Sequence, residues 1–342
     1  MRLHTILRES VRRCDLDLSD FTVLTEAASG AFVVTPVLAA LAGAKQVYAL
    51  TRPSAHGTVE EIVAATTALA KSVNVEERIE ILTDKNPDRI ATADIVTNSG
   101  HVRPIDAAMI GAMKPTAVIP LMYEAWEFRP SDIDLAACRK RQIPVAGTNE
   151  THPRIGVFPY LGSLAVDLLF NAGIPVYRSK ILLLCNNRFD PFIRKSLLHC
   201  GAEVDLLKAF PEKPVNKRYD ALLIAMPPKP SPVIGPGETD RISRDFPDAT
   251  VVQFWGDIDR ESLKKKNIPF WPPVAPPAGH MGTFLSNIGP EPVVYLQTGG
   301  LKVGQIMAII RKKYSGPEGC RRAVQAAAAS GYGQVLPEGD EA

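Results

Sequence analysis

The stretch Phe21 to Arg52, FTVLTEAASGAFVVTPVLAALAGAKQVYALTR, reads as strand, small-residue turn, helix and strand in one compact unit. Phe21 to Thr25 is apolar and β-branched, as a strand buried on both faces must be. Ala27, Ala28, Ser29 and Gly30 follow with almost no side chain, so a ligand can approach the backbone there. Residues 31 to 43 then carry a helix ended by Gly43, and Gln46 to Leu50 returns as a second buried strand. This is the opening βαβ of a nucleotide-binding fold, with a helix N-terminus on which a phosphate, carboxylate or ribose can rest. The turn has only Gly30 of the glycines of a G-x-G-x-x-G fingerprint, and the second strand ends in Thr51 and Arg52 instead of an acid. An arginine there suits a 2′-phosphate. A tight connection carrying no ligand is the plain structural alternative.

Beyond this unit, a helix over Val59 to Val73 leads to strands at Ile79 to Thr83, Ala93 to Asn98, Ala117 to Met122 and Val145 to Thr148. A long apolar helix, Val157 to Asn171, then crosses to a second α/β series. Its strands are Lys180 to Cys185, Glu203 to Leu207, Ala221 to Ala225, Thr250 to Phe254 and Pro269 to Trp271. The expected fold class is α/β: two Rossmann-like lobes with parallel doubly wound sheets and a cleft between them. The expected divisions are an N-terminal helix (1–20), a Rossmann-like nucleotide-binding domain (21–155), the crossing helix (156–177), a second Rossmann-like or flavodoxin-like domain (178–315), and a C-terminal helix with a mobile tail (316–342). DIDLAACRKRQIPV at Asp132 to Val145 matches DIDRESLKKKNIPF at Asp257 to Phe270 without a gap, which points to a structural pseudo-repeat. Two stretches rich in Pro and Gly, Pro227 to Gly237 and Pro272 to Gly282, are expected to be loops after strands of the second lobe.

Composition narrows the ligand. The chain has 342 residues, 46% hydrophobic and 22% charged, with a net charge of +2 and no long basic run. Nucleic acid is therefore not an expected partner, and a small-molecule substrate is. No signal-peptide pattern or obvious spanning run stands out, so the reading is cytoplasmic with no membrane, and a homodimer is the expected assembly. Leu3, Ile6, Leu7, Val11 and Cys14 share one helical face and predict a docked amphipathic helix. The five cysteines form no C-x-x-C pair, so neither a disulfide framework nor a metal site is expected.

In a doubly wound sheet the residues at the carboxyl ends of the strands face the ligand. In the first lobe these are Glu26, Ala28, Ser29 and Gly30, then Thr51 and Arg52, Asp84, Asn98 and Ser99 with His101, Tyr123 and Glu124, and finally Asn149, Glu150 and His152. In the second they include Asn186, Asn187, Arg188 and Asp190, and the loop around His280. His101, His152 and His280 are candidate general acids or bases. Glu124 and Glu127 flank Trp126 in YEAWEF, as a substrate grip or as solvated acids around a packed ring.

Two family resemblances rest on these segments. Residues 93 to 204 resemble the hinge region of the D-2-hydroxyacid dehydrogenase superfamily, through ADIVTNSGHVRPIDAAMI, IDLAACRKRQIPVAGTNE, the crossing helix and SKILLLCNNRFDPFIRKSLLHCGAEV. Asn186, Arg188 and Pro191 stand where that family has three glycines, so the second lobe is not expected to hold a pyrophosphate. His280 in APPAGHMG resembles that family's Pro-His segment, which implies a catalytic role. Residues 21 to 122 are similar to class I S-adenosylmethionine-dependent methyltransferases, through TEAASG, LAGAKQVYALTR, NVEERIEILTD and MKPTAVIPLMYE. That resemblance implies Glu26 and Asp84 as the acids at the amino-acid and adenine ends of S-adenosylmethionine.

The favoured expectation is an NAD(P)-dependent oxidoreductase acting on a small metabolite. NADP or NAD would lie on Glu26, Ala28, Ser29, Gly30, Thr51, Arg52, Asp84, Asn98 and Ser99. Proton transfer would fall to His280 or His101, with Arg188 as the cation and Tyr123 nearby, and substrate contacts to Glu124, Asn149, Glu150 and His152. The alternatives are a methyltransferase using S-adenosylmethionine on the same loop, and a non-catalytic protein that binds a metabolite or a partner.

Overall fold

A computed structural model describes residues 2–213 and 217–337. The chain divides into two compact units, one of Met1–Val157 with Gly289–Ala342 and the other of Phe158–Ile288. The first unit begins with α1 (Arg2–Arg13), β1 (Thr22–Glu26), a 3₁₀ turn (Gly30–Val33) running into α2 (Val34–Leu41), and β2 (Gln46–Leu50). It continues with α3 (Val59–Ser72), β3 (Ile79–Leu82), α4 (Pro87–Thr92), β4 (Ile95–Val96), α5 (Ala107–Ala112), β5 (Ile119–Pro120), α6 (Leu135–Arg141) and β6 (Val145–Thr148). Local chemistry sets several of these starts. Thr58 and Glu61 form a reciprocal capping box for α3, and the Asn86 side chain accepts the first N–H groups of α4 ahead of Pro87.

The second unit holds α7 (Tyr160–Asn171), β7 (Lys180–Leu184), α8 (Asp190–His199), β8 (Glu203–Leu207), β9 (Ala221–Ala225), α9 (Pro236–Asp245), β10 (Thr250–Trp255), α10 (Arg260–Lys265) and β11 (Phe270–Trp271). Its five strands are all parallel, in the order β11-β10-β9-β7-β8. β9 is buried at every residue, as a central parallel strand covered on both faces requires. The chain then returns to the first unit with α11 (Glu291–Lys313), α12 (Gly316–Ala329) and β12 (Gly333–Gln334).

In the first unit β3-β2-β1-β4 run parallel, and the parallel bridge between Ile95 and Val118 carries the order on to β5-β6-β12. Only β12 is antiparallel, pairing Gly333 with Thr148. α11 lies against β4, β5 and β6 and against α1 and α2. Its glycines allow that approach: a Cβ on Gly304 would stand 2.7 Å from Ile95, and one on Gly299 2.6 Å from Ile155. By length and composition α11 could cross a membrane, but 78% of its apolar window is buried in protein, which makes it a core helix.

These divisions correct the expected ones. The crossing helix belongs to the second unit as α7, and the domain expected over 178–315 ends at Ile288, because α11 packs on the first sheet. β12, absent from the sequence reading, ties the C-terminal segment to β6. The stretch Pro227 to Gly237 is loop only in part, since Pro236 and Gly237 open α9. Of the tail expected to be mobile, residues 338–342 lie outside the described residues.

The internal match between the two units is structural. Asp134 caps α6 through the Ala137 N–H, and Asp259 caps α10 through the N–H groups of Glu261 and Ser262. Gln142 and Asn267, which follow these helices, both take a left-handed φ of 56°. Ile133 bridges Ile105, and Ile258 bridges Ile234, in the same parallel sense. Each copy then enters a strand, β6 or β11.

Candidate functional site

In the first sheet the strand order reverses between β1 and β4, the place where open α/β sheets form a ligand crevice outside the carboxyl ends of their strands. The turn after β1 forms one wall. Gly30 has φ +60°, and a Cβ built on it meets nothing within 4 Å. Ser29 stands at the cap position without a side-chain cap bond, and the first turn carries no acid. No acid of this first turn competes for its backbone N–H groups.

The opposite wall is the segment after β4. Thr25 and Thr97 share a 2.8 Å hydroxyl contact, which continues from Thr97 to Ser99 at 2.9 Å. Asn98 accepts the Met122 N–H at 2.7 Å, while its buried amide nitrogen has no partner among the described residues. The Glu26 carboxylate, buried at the end of β1, accepts the His101 N–H at 3.0 Å. Burial pushes the Glu26 carboxyl up, against the lowering pull of that N–H and of Arg103.

Arg52, from the end of β2, does not stand isolated. Its Nη2 donates to the carbonyls of Gly100 at 3.4 Å and Arg103 at 3.3 Å. The exposed guanidinium has no other partner among the described residues. Thr51 is buried beside it with an unpartnered hydroxyl. His101 has a buried Nδ1 without a partner, and desolvation followed by the Arg52 charge holds its imidazole below the ordinary 6.5. A neutral imidazole is suited to accept a proton.

The other candidates sit apart from this crevice. Asp84 is exposed after the edge strand β3, two strands from β1. The Tyr123 hydroxyl donates to Asp132 at 2.7 Å, and Asp132 also pairs with Arg103 at 3.0 Å; burial and that carboxylate raise the phenol. Glu124 accepts the Trp126 indole N–H at 2.5 Å and the Gln334 amide at 3.0 Å. Asn149 donates to the Gly331 carbonyl at 2.8 Å, and His152 stacks on Tyr332 with centroids 3.9 Å apart. Glu150 is buried, and its carbonyl accepts the Val157 N–H. Glu124, Asn149 and His152 thus hold the C-terminal segment. A mostly apolar concavity of about 1310 Å³ lies next to them, lined by Trp126, Cys138, Val324 and Leu336 among others. Buried polar atoms without partners among the described residues lie instead at the first sheet's strand ends, Thr51 Oγ1, Asn98 Nδ2 and His101 Nδ1.

In the second unit the corresponding reversal, between β7 and β9, is filled from within. Asn187 donates to the Ala225 carbonyl at 2.7 Å and accepts the Phe189 N–H at 2.9 Å, so one side chain closes the turn that precedes α8. Asp190 adds an acid to the first turn of α8. Arg188 lies over the Phe158 ring at 5.2 Å. His280 is half-buried in a loop held by Gly279, whose N–H donates to Asp257 and whose carbonyl accepts from Trp255. Sequence reasoning missed Arg103, Asp132, Tyr332 and Gln334. Arg103 was within its reach, two residues after His101; the others act through contacts distant in sequence. Among the described residues no group of three or more His, Cys, Asp or Glu is placed to hold a metal.

No family model and no curated protein matches the sequence. Solved structures do match. A dipicolinate synthase chain from Bacillus subtilis is 11% identical, with a TM-score of 0.55 over 88% of this chain and 100% of that one. The dipicolinate synthase chain from Bacillus halodurans is 10% identical, with a TM-score of 0.51 over 86% and 99%. The protein shares its two-unit fold with these chains. The methyltransferase resemblance over residues 21–122 receives no support from them.

Proposed function

We propose that the protein is an NAD(P)-dependent oxidoreductase acting on a small metabolite, with its dinucleotide on the turn after β1. The observation that carries this reading is the contrast between the two strand-order reversals. At Gly30 the backbone is open and left-handed, with no acid in the first turn, whereas Asn187 and Asp190 occupy the equivalent place in the second unit. The residues present fit the group. Backbone N–H groups at Ser29 to Ala31, in a turn with no acid, would hold phosphate, and the guanidinium of Arg52 would take a 2′-phosphate.

Bound there, a nicotinamide dinucleotide would supply redox chemistry that no side chain of this protein can. His101 would take the substrate hydroxyl proton on its imidazole in the oxidation direction and return it in the reduction direction. Mass spectrometry of nucleotide released from the denatured protein tests the proposal. NADP(H) or NAD(H) in the released fraction supports it, and S-adenosylmethionine overturns it.

A further inference from the structure

The loop that carries His101 is gripped from two sides by the two strands that border the proposed cofactor turn. Glu26, at the end of β1, takes the loop's N–H groups: the His101 N–H reaches its Oε2 at 3.0 Å, and the Gly100 N–H points at the same carboxylate. A Cβ on Gly100 would stand 3.2 Å from that oxygen, so a side chain there would crowd the contact. Arg52, at the end of β2, takes the loop's carbonyls, those of Gly100 and Arg103. From its far end the loop is held by the ion pair of Arg103 with Asp132.

We propose that Glu26 and Arg52 are positioning residues for His101, one holding the donors and the other the acceptors of the same short segment. A carboxyl between two N–H groups and a guanidinium between two carbonyls fix both the height and the tilt of the loop. The imidazole then projects from a segment whose neighbouring peptide groups are both engaged. Of the ionisable groups around the loop, Arg52 from β2 acts on the imidazole, Glu26 from β1 holds the backbone, Arg103 pairs with Asp132, and Lys85, after β3, binds the Pro104 carbonyl beyond it. The functional meaning of this arrangement rests on the reading of the crevice as the reaction site, but the arrangement itself can be tested without any ligand.

The test is nuclear magnetic resonance of the full chain, following the His101 amide exchange rate and imidazole titration. In Glu26→Ala the His101 N–H loses its acceptor, and its exchange should quicken at least about tenfold, with a changed ring shift. Glu26→Gln keeps an acceptor oxygen at the same reach and should restore the wild-type values. Arg52→Gln removes the nearby positive charge and should move the His101 titration upward. Should Glu26→Ala fail to fold, Glu26→Asp, one methylene shorter, should show the same release of the loop. Wild-type exchange in Glu26→Ala or Glu26→Asp, or an unmoved His101 titration in Arg52→Gln, overturns the proposal. Because no nucleotide is present, such a result leaves the cofactor reading to its own experiment.

Discussion

Gly30→Val separates backbone strain from ligand exclusion. Gly30 sits at φ +60°, where an L-residue costs about 1–2 kcal/mol, and its Cβ would meet no protein atom within 4 Å, so no clash adds to that cost. The expected stability loss is therefore about 1–2 kcal/mol, a drop of a few degrees in Tm by scanning calorimetry. Gly173, after α7 in the second unit, is a matched control, with φ +79° and equally open space. Gly173→Val should lose similar stability. In isothermal titration with NADPH the two variants should differ: the valine at position 30 stands where phosphate would lie and should weaken binding at least about a hundredfold, some 2.7 kcal/mol, while Gly173→Val should bind as wild type. Equal affinities in the two variants would refute the placement of the dinucleotide on the turn after β1.

Arg52→Ala should weaken NADPH roughly ten- to hundredfold and leave NADH nearly unchanged, since only the 2′-phosphate loses its guanidinium; titration with both nucleotides reads the difference. His101→Ala should lower kcat by roughly 10² to 10⁴ with little change in cofactor affinity, and turnover in the oxidation direction should fall as pH drops through a His101 value below 6.5. His280→Ala measured in parallel assigns the proton step: if it, and not His101→Ala, produces the loss, His101 is not the proton carrier. Glu127 is pushed up from 4.5 to about 7 by burial and by the neighbouring Glu124 charge. The folded protein thus holds that proton more tightly than the unfolded chain, so the stability it contributes is full below about 4.5 and is lost as pH rises to about 7. Denaturant midpoints should show a decline on the order of 3 kcal/mol over that range, flattened in Glu127→Gln; an identical decline in the variant assigns it to another group.

Much of the fold was legible because periodicity reports burial. The opening βαβ, the helix over Val59 and the strands from Glu203 to Trp271 all lie close to where their apolar patterns put them. The repeat at Asp132 and Asp257 was readable because the capping acid, the residue after the helix and the Ile-Pro strand entry recur at one spacing. The unit boundaries were not legible. α11 has an apolar pattern that fits either sheet, and its close glycine contacts with Ile95 and Ile155 and its packing on β4, β5 and β6 show which one it covers. At the candidate site the strand-end residues could be listed from sequence but not sorted. That Arg52 leans on the Gly100 and Arg103 carbonyls, and that Asn149 and His152 hold the returning C-terminal segment, depends on contacts between residues far apart in the chain.

The central claim, a dinucleotide site in the first unit, is tested most directly by titrating the purified wild-type protein with NADPH, NADH and S-adenosylmethionine in turn. The structure predicts saturable binding of NADPH, weaker binding of NADH, and none of S-adenosylmethionine. Binding of S-adenosylmethionine with neither dinucleotide bound would contradict it.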